Sequence, residues 1–401
     1  MSTFIYILYI LLAIVILLFM VLVHELGHYI AGRILKFKIT EFSIGFGKAI
    51  FSKTNKRGEK ISLRIFPLGG YCSFAGEGDD KESPKEGDFN SFAPWKRIVV
   101  FFAGVFMNFV TAIFFSLILL CTYGGRDIVK VTEINSNYSE VAVFQQGDVI
   151  YEIGNEKLDI GFGTNYQTAL SNQFTNAQNY AKENEEKEIT DYRFSVKVRH
   201  VNNVYETYQD VSFYKLPFSS KEKDLEEYSS YKNINVCSLA QLDEDGNVVV
   251  DENGKTVFDY YSLGINIPEF YVHTFWEALG RCVSYSFGLA WLVLKSLWQL
   301  ITFQIAIKSI GGPITTIATI ATVSQTNFAN LLILIPLISA NLAVFNLLPF
   351  PALDGSHIMF TTIEWIRKKP INRKVENIIH FVGLCILFTF VIIVDILHFV
   401  L

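Results

Sequence analysis

The chain has 401 residues, 51% of them hydrophobic and 18% charged, with a formal net charge of −5. A soluble globular domain carries about 25% charged residues, so the composition excludes an ordinary soluble enzyme and points to the membrane. The acidic balance gives no reason to expect a nucleic-acid partner. The five cysteines (Cys72, Cys121, Cys237, Cys282, Cys385) are scattered without a CxxC pair, which excludes a disulfide framework and a cysteine zinc site.

An unbroken apolar run from Phe4 to Val23 is long enough to cross a bilayer. Residues 1–3 hold no basic residue and no small-residue cleavage site follows, so the run is expected to be a retained transmembrane helix rather than a signal peptide. It ends in His24-Glu25-Leu26-Gly27-His28. On a helix, histidines four apart share a face and can hold one zinc ion. Glu25 then occupies the place of a metalloprotease general base. On a solvated helix the motif arises by chance. Inside a membrane, two imidazoles and a carboxylate are costly unless something binds them. Arg33, Lys36 and Lys38 follow, which places the motif toward the cytoplasm.

Segments 42–47 and 61–65 read as strands around a turn at 54–58, and Pro67-Leu68-Gly69-Gly70-Tyr71 as a closing loop. Two readings stay open here. One is a plain cytoplasmic hairpin. The other is a hairpin dipping toward the histidines, where its edge would hold an unwound peptide by strand addition. Pro94-Trp95-Lys96-Arg97 is a membrane-edge anchor. Ile98–Thr122 is the second span. In it Gly104 suits close helix packing, and Asn108 faces the protein interior, as helix glue or at the site.

Gly124–Val272 reads as a separate module. Between Arg126 and Glu269 there are 13 basic and 25 acidic residues, a net of −12. The rest of the chain has 21 and 14, a net of +7. The asymmetry puts the module outside and the basic loops inside. Gln146-Gly147-Asp148 and the run to Ile153, followed by Asn155, look like the glycine-aspartate turn and strand of a PDZ domain. Any small β-rich domain is the plainer reading. Arg193–His200 alternates as a strand. The acidic stretches at 243–247 and 252–254 read as hairpin turns rather than calcium loops.

Phe275–Ile307 is apolar but carries Glu277, Arg281 and Lys295, and is expected to lie on the outer surface. The third crossing is assigned to 327–350, followed by the cytoplasmic cluster Arg367, Lys368, Lys369, Arg373 and Lys374. A last helix from Asn377 to Val400 returns outward. Its His380 and Asp395 are expected to sit exposed at the two interfaces. Within Asn346-Leu347-Leu348-Pro349-Phe350-Pro351-Ala352-Leu353-Asp354-Gly355 the two prolines break the helix. Asp354 then arrives at the same leaflet as His24 and His28. A catalytic zinc takes three protein ligands and leaves one position open, and Asp354 is the natural third. An interfacial helix-capping aspartate is the alternative.

HELGH in the first span, Pro67–Tyr71, Gly104-x-x-x-Asn108, the inserted module, Gly311-Gly312-Pro313-Ile314, and Asn346-x-x-Pro349 leading to Leu353-Asp354-Gly355 together resemble the site-2 protease family of intramembrane zinc metalloproteases. More narrowly, they resemble the bacterial regulator of sigma-E protease type. The resemblance implies zinc held by His24, His28 and Asp354, Glu25 activating water, and Asn346 and Asn108 near the substrate. It implies a polytopic α-helical membrane protein with four transmembrane helices, a membrane-associated β-hairpin or sheet, and an extracytoplasmic β-rich PDZ-like module. The expected regions are 1–123, 124–272, 273–326 with surface helices, and 327–401. The implied activity is cleavage within or near transmembrane segments of membrane proteins, after their outer domains have been trimmed. Anti-sigma-factor-like proteins or signal-peptide remnants are the implied substrates, in the lipid bilayer of the cytoplasmic membrane. A catalytically silent zinc-binding scaffold acting through the module is the other reading, and Glu25 speaks against it. A transporter is poorer, because no inverted repeat is visible.

Overall fold

The computed structural model describes residues 3–77, 85–125, 128–134, 143–158, 164–184, 186–219, 237–243, 247–250, 254–267, 271–302, 304, 312–326 and 331–400. Parts of the two expected acidic turns (244–246 and 252–253), Gly311 and residues 327–330 of the expected third span lie outside them. The chain divides into two compact units, residues 1–119 with 279–401, and residues 120–278.

The first unit begins with α1 (Thr3–Ile34), followed by β1 (Ile39–Thr54), β2 (Lys60–Phe74) and α2 (Pro94–Thr122). Among the described residues, three helices are long and apolar enough to cross a membrane: Ile5–Ile34, Pro94–Thr122 and Arg373–Ile396. Ile7, Leu11, Val15 and Phe19 on the first, and Ile378, Phe381, Phe388 and Ile392 on the last, are exposed. Apolar stripes of that extent are tolerable in lipid and costly in water. The apolar segment expected as a third span folds as a shorter helix (Leu331–Leu347) of 17 residues. At 1.5 Å per residue it is about 26 Å long. It stops where the sequence reading put the break, just before Pro349 and Pro351, because proline cannot continue the ladder.

The hairpin departs from expectation. Pro67–Tyr71 is strand within β2, not loop. Gly45 and Gly47, at φ +86 and +83, bend β1 in a way that only glycine adopts easily. The first half of β1 therefore lies between the two halves of β2. Ser43 faces both Tyr71 and Ser62, and Ile44 faces both Gly70 and Leu63. Gly70–Ser73 has β1 on one side and, among the described strands, no partner on the other. Phe37, Ile39, Phe74, Phe89, Val100 and Phe101 form the apolar cluster that fastens this sheet to α2.

The later part of the unit comprises α4 (Phe275–Ile301, which follows α3, Tyr166–Glu183, of the second unit), α5 (Pro313–Thr326), α6 (Leu331–Leu347), α7 (Asp354–Arg367) and α8 (Arg373–Val400). Its residues from Leu279 on belong here. α4 packs on α2, with Ser116 and Ser286 joined at 3.0 Å. Asp395 of α8 is not at an exposed interface as expected. It is 5% exposed. It accepts the N–H groups of Gly312, Ile314 and Thr315 and the Thr315 hydroxyl. The first N–H groups of a helix lack partners of their own, and a buried carboxylate needs donors. Each satisfies the other across the α5–α8 contact. His380, also expected at an interface, is described with the site below.

The second unit pairs β3 (Val129–Lys130), β5 (Val149–Ile153), β7 (Phe194–Arg199) and β8 (Tyr205–Val211) in one antiparallel sheet. β6 (Glu156–Lys157) attaches to β5. β4 (Glu133–Ile134) pairs with β12 (Ile265–Asn266), while β9 (Tyr214–Ser219), β10 (Cys237–Ala240) and β11 (Phe258–Ser262) form a third sheet. Helix α3 (Tyr166–Glu183) is capped by Asn165, whose side chain accepts the Thr168 N–H at 2.8 Å. It lays Ala169, Leu170, Phe174 and Ala177 on a core with Ile150, Ile153, Val196, Val198 and Phe213. The strand read at Arg193–His200 is β7.

Asp148, from the glycine-aspartate turn, is buried. It takes the Gln145 N–H, the Tyr208 hydroxyl and His200 Nδ1, the last at 2.7 Å. Glu206 binds the other His200 nitrogen at 2.8 Å. The bond to Glu206, and then that to Asp148, hold the His200 imidazolium above its ordinary range. A raised folded-state value stabilises fully below the unfolded value of about 6.5 and is lost as pH rises through the folded one. Hydrogen-exchange protection of β7 and β8, corrected for intrinsic rates, is therefore expected to fall as pH is raised from about 6 to 9. In His200→Gln that decline should flatten.

Candidate active site

The site is assembled from α1, α2 and the start of α7. The apolar run makes α1 helical through HELGH, and the four-residue spacing turns His24 and His28 to one side. There α1 meets α2 backbone to backbone. A Cβ on Gly27 would lie 2.2 Å from the Ala103 carbonyl oxygen, so no larger residue fits without parting the helices. Opposite, a Cβ on Gly104 would lie 2.4 Å from His28 Nε2 and 2.8 Å from His24 Cε1. The expected packing role of Gly104 is thus half of its function. Its bare Cα is also the floor on which both imidazoles rest.

Asp354 comes from the other end of the chain as the first residue of α7. Its Oδ2 is 3.0 Å from His24 Nε2 and 3.4 Å from His28 Nε2, and the two Nε2 atoms are 3.2 Å apart. The turn before it closes tightly, since a Cβ on Gly355 would strike the Leu347 and Leu348 carbonyls at 2.2 and 2.3 Å. His28 Nδ1 faces the Val100 carbonyl at 2.8 Å, so that nitrogen carries the proton and Nε2 keeps its lone pair. His24 Nδ1 faces the Asn108 side-chain amide at 3.2 Å, while Asn108 Oδ1 is buried without a partner. Amide oxygen and nitrogen are assigned from such networks. Turning the amide over gives Oδ1 a donor and leaves the His24 Nε2 lone pair free.

Three lone-pair atoms then converge with no proton among them, and Asp354 Oδ2 has no hydrogen-bond donor. Such a set is mutually repulsive unless a cation joins it. Two imidazole nitrogens and one carboxylate match the three-ligand set of a catalytic zinc. The Nδ1 partners are the outer-shell acceptors that ligating histidines use. The residues fit the metal.

Glu25 sits on the same turn, with the Cys72 backbone beside its carboxyl. Its Cγ would be 3.0 Å from a Cβ on Gly70. The edge segment of β2 therefore runs past the carboxylate. Asn108 is fully buried. Asn346 is half-buried near the end of α6 and makes no side-chain hydrogen bond among the described residues. The structure thus brings His24, Glu25, His28, Asn108 and Asp354 together, and leaves Asn346 outside the contact set.

Sequence reasoning missed several neighbours. Glu77, on the turn after β2, bonds the Phe74 N–H. Burial pushes its carboxyl up to about 7, with the Phe74 N–H opposing and Asp354 and Glu25 adding to the rise. The Val100 carbonyl carries no signal in the sequence. His357, Glu376 and His380 form a second cluster. Its two rings are stacked 4.1 Å apart at 11°. A histidine lone pair lies in its ring plane, so parallel stacked rings do not share one metal. His380 stood in an apolar run, and a histidine there signals a role inside the protein.

Gly104→Ala is expected to strip metal from the site, by forcing the imidazoles or the helices apart. Gly280→Ala, where a Cβ meets nothing within 4 Å, is the control on another helix. Metal per protein after chelator dialysis should drop in the first variant and stay at the wild-type level in the second.

Residues 12–390 match Peptidase family M50. A protein of Campylobacter jejuni provisionally named a zinc metalloprotease is 27% identical over 373 residues, covering 92% of this chain and 87% of that one. A similarly named protein of Fusobacterium nucleatum is 26% identical over 390 residues, covering 96% and 97%. A regulator of sigma E protease from Haemophilus influenzae is 25% identical over 418 residues, covering 92% and 93%. The family match takes in nearly the whole chain, including every residue of the buried cluster, and the chain belongs to peptidase family M50, the site-2 protease family of zinc metalloproteases.

Proposed function

We propose that this zinc metalloprotease cuts peptide bonds within or beside transmembrane segments of membrane proteins, with His24, His28 and Asp354 as zinc ligands and Glu25 as the general base. One observation carries the reading: His24 Nε2, His28 Nε2 and Asp354 Oδ2 lie within 3.4 Å of one another, with Glu25 beside them on an apolar helix. Zinc bound there supplies Lewis acidity and makes a water acidic enough to lose a proton near neutrality. Glu25 takes that proton and returns it to the leaving amine. Asp354 supplies the negative charge that two neutral imidazoles lack in a low-dielectric site. Asn108, through Oδ1, and Val100, through its carbonyl, hold the rings in the ligating tautomer.

A transmembrane substrate hides its carbonyls in helical hydrogen bonds and must unwind to be cut. Freed backbone groups then need partners. The unpartnered edge at Gly70–Ser73 offers them by strand addition, next to Glu25. Asn346 is the substrate-side amide in this reading. In it, the segment 327–350, which contains α6, makes the third of four crossings. The residue 120–278 unit is an extracytoplasmic PDZ-like module that admits substrates already trimmed of bulky outer domains, and the site opens toward the cytoplasmic side of the cytoplasmic membrane. The acidic −12 of the module against +7 elsewhere supports that orientation. The printed name of the Haemophilus influenzae relative, a regulator of sigma E protease, ties that protein to the control of sigma E, and in this reading the substrates are anti-sigma-factor-like membrane proteins or signal-peptide remnants.

Glu25→Gln keeps size and removes the base. Cleavage of a model transmembrane substrate by the purified variant is expected to fall by about 10²–10⁴-fold, with zinc content unchanged. Full zinc together with undiminished cleavage would remove Glu25 from the mechanism.

The orientation is tested separately. Asn202 is exposed on the residue 120–278 unit. A cysteine placed there, in a chain freed of its five native cysteines, should react in intact cells with a membrane-impermeant maleimide. Labelling only after the cells are opened would reverse the topology.

A further inference from the structure

Asp354 reaches the two imidazoles through the turn that precedes it, and that turn is strained. Ala352 has φ +82, a left-handed conformation that a residue with a Cβ rarely adopts. Something outside the turn must hold it. Two positions one helical turn apart on α8 make the contact. His380 Nδ1 accepts the Ala352 N–H at 3.0 Å. Gly383 lets Pro351 lie against the helix, since a Cβ there would be 2.3 Å from Pro351 Cβ and 2.9 Å from its carbonyl oxygen. Ser356, which donates to the Leu353 carbonyl at 2.7 Å, brings its hydroxyl to 3.4 Å from the same His380 nitrogen.

The His380 ring is itself fixed. It stacks on His357 at 4.1 Å, and His357 stacks on Phe101 of α2 at 4.8 Å. Because Nδ1 accepts, the ring proton is on Nε2. That nitrogen is buried and faces Glu376 Oε1 at 3.9 Å, one turn earlier on α8. The other Glu376 oxygen is held by Arg373, which also binds Glu364, and Glu364 binds Arg97 of α2 at 2.8 Å. A continuous set of polar contacts and stacked rings therefore ties the strained turn to α2, the helix that floors the imidazoles.

We propose that His380 is a positioning residue for Asp354. By accepting the Ala352 N–H it holds the left-handed turn that aims the carboxylate at His24 and His28. The proposal rests on reading Asp354 as a metal ligand. His380 touches neither metal nor substrate, and its effect passes through the backbone of residues 352–354.

Four variants of the full-length protein in detergent test it, with zinc as the probe in chelator competition. His380→Phe keeps a flat ring and loses the acceptor, and zinc should bind about tenfold or more weaker, the range for outer-shell partners. His380→Leu is the second acceptor-less variant. His380→Asn places Oδ1 near the position of Nδ1 and should stay within about threefold of wild type. Ala352→Gly added to His380→Phe should recover much of the loss, since glycine adopts φ +82 without strain. A metal-free readout accompanies these: the Ala352 amide of the apoprotein should exchange faster in His380→Phe and His380→Leu, and at the wild-type rate in His380→Asn.

Wild-type zinc affinity in the acceptor-less variants would overturn the proposal. So would an Asn variant as weak as the Phe one, or an unchanged Ala352 amide. Asp354→Asn separates the two levels. If it binds zinc like wild type, the ligand reading itself fails and the link to His380 fails with it. If it weakens zinc while His380→Phe does not, only the positioning role falls.

Discussion

The close crossing of α1 and α2 is the contact on which the rest depends. Gly27 lies against the Ala103 carbonyl, and Gly104 lies under both imidazoles. Neither glycine is there for a turn. Each removes a Cβ so that two helices approach until the histidines of one lie on the backbone of the other. That approach also sets the outer contacts, because Val100 and Asn108 stand four residues to either side of Gly104 on the same face of α2. A helix pair held by side-chain packing alone would stand farther apart and leave the imidazole Nδ1 atoms without partners.

The second requirement is a carboxylate from outside that pair. Asp354 is delivered by a break rather than by a continuous helix, and the break leaves polar backbone that must be satisfied away from water. The chain meets this need with side chains from α8. Asp395 closes the start of α5, and His380 closes the turn at Ala352. Both are polar residues set among the apolar side chains of α8. Both satisfy backbone N–H groups that a helix start or a turn leaves open, which is why they are tolerated at that depth.

The residue 120–278 unit follows other rules. Its strand β7 alternates between buried and less buried residues, its helix is capped by Asn165, and its core is closed by aliphatic and aromatic side chains. Asp148, which the sequence presented as a turn residue, is the buried acceptor joining that turn to β7 and β8. The sequence pattern located the turn and β7. It did not show that His200 would be held between two carboxylates, because Glu206 and Asp148 are brought together by strand pairing.

By itself the sequence determined what depends on neighbours along the chain: the apolar runs, the i, i+4 histidines with Glu25 beside the first, the stop before Pro349, and the charge asymmetry between module and membrane part. It also named Asp354, through the proline break and motif around it together with a count of crossings. The strand at Pro67–Tyr71 was read as loop because Pro and Gly break strands in general, whereas the glycine bends in β1 supply it with a partner. His380 and Asp395 were read as exposed ends, since position along a helix says nothing about what packs on it. Gly104 was read as packing only, since the rings above it come from a helix 76 to 80 residues earlier. Those assignments belonged to the tertiary structure because hydrogen-bond partners and steric gaps between distant segments exist only after the segments have met.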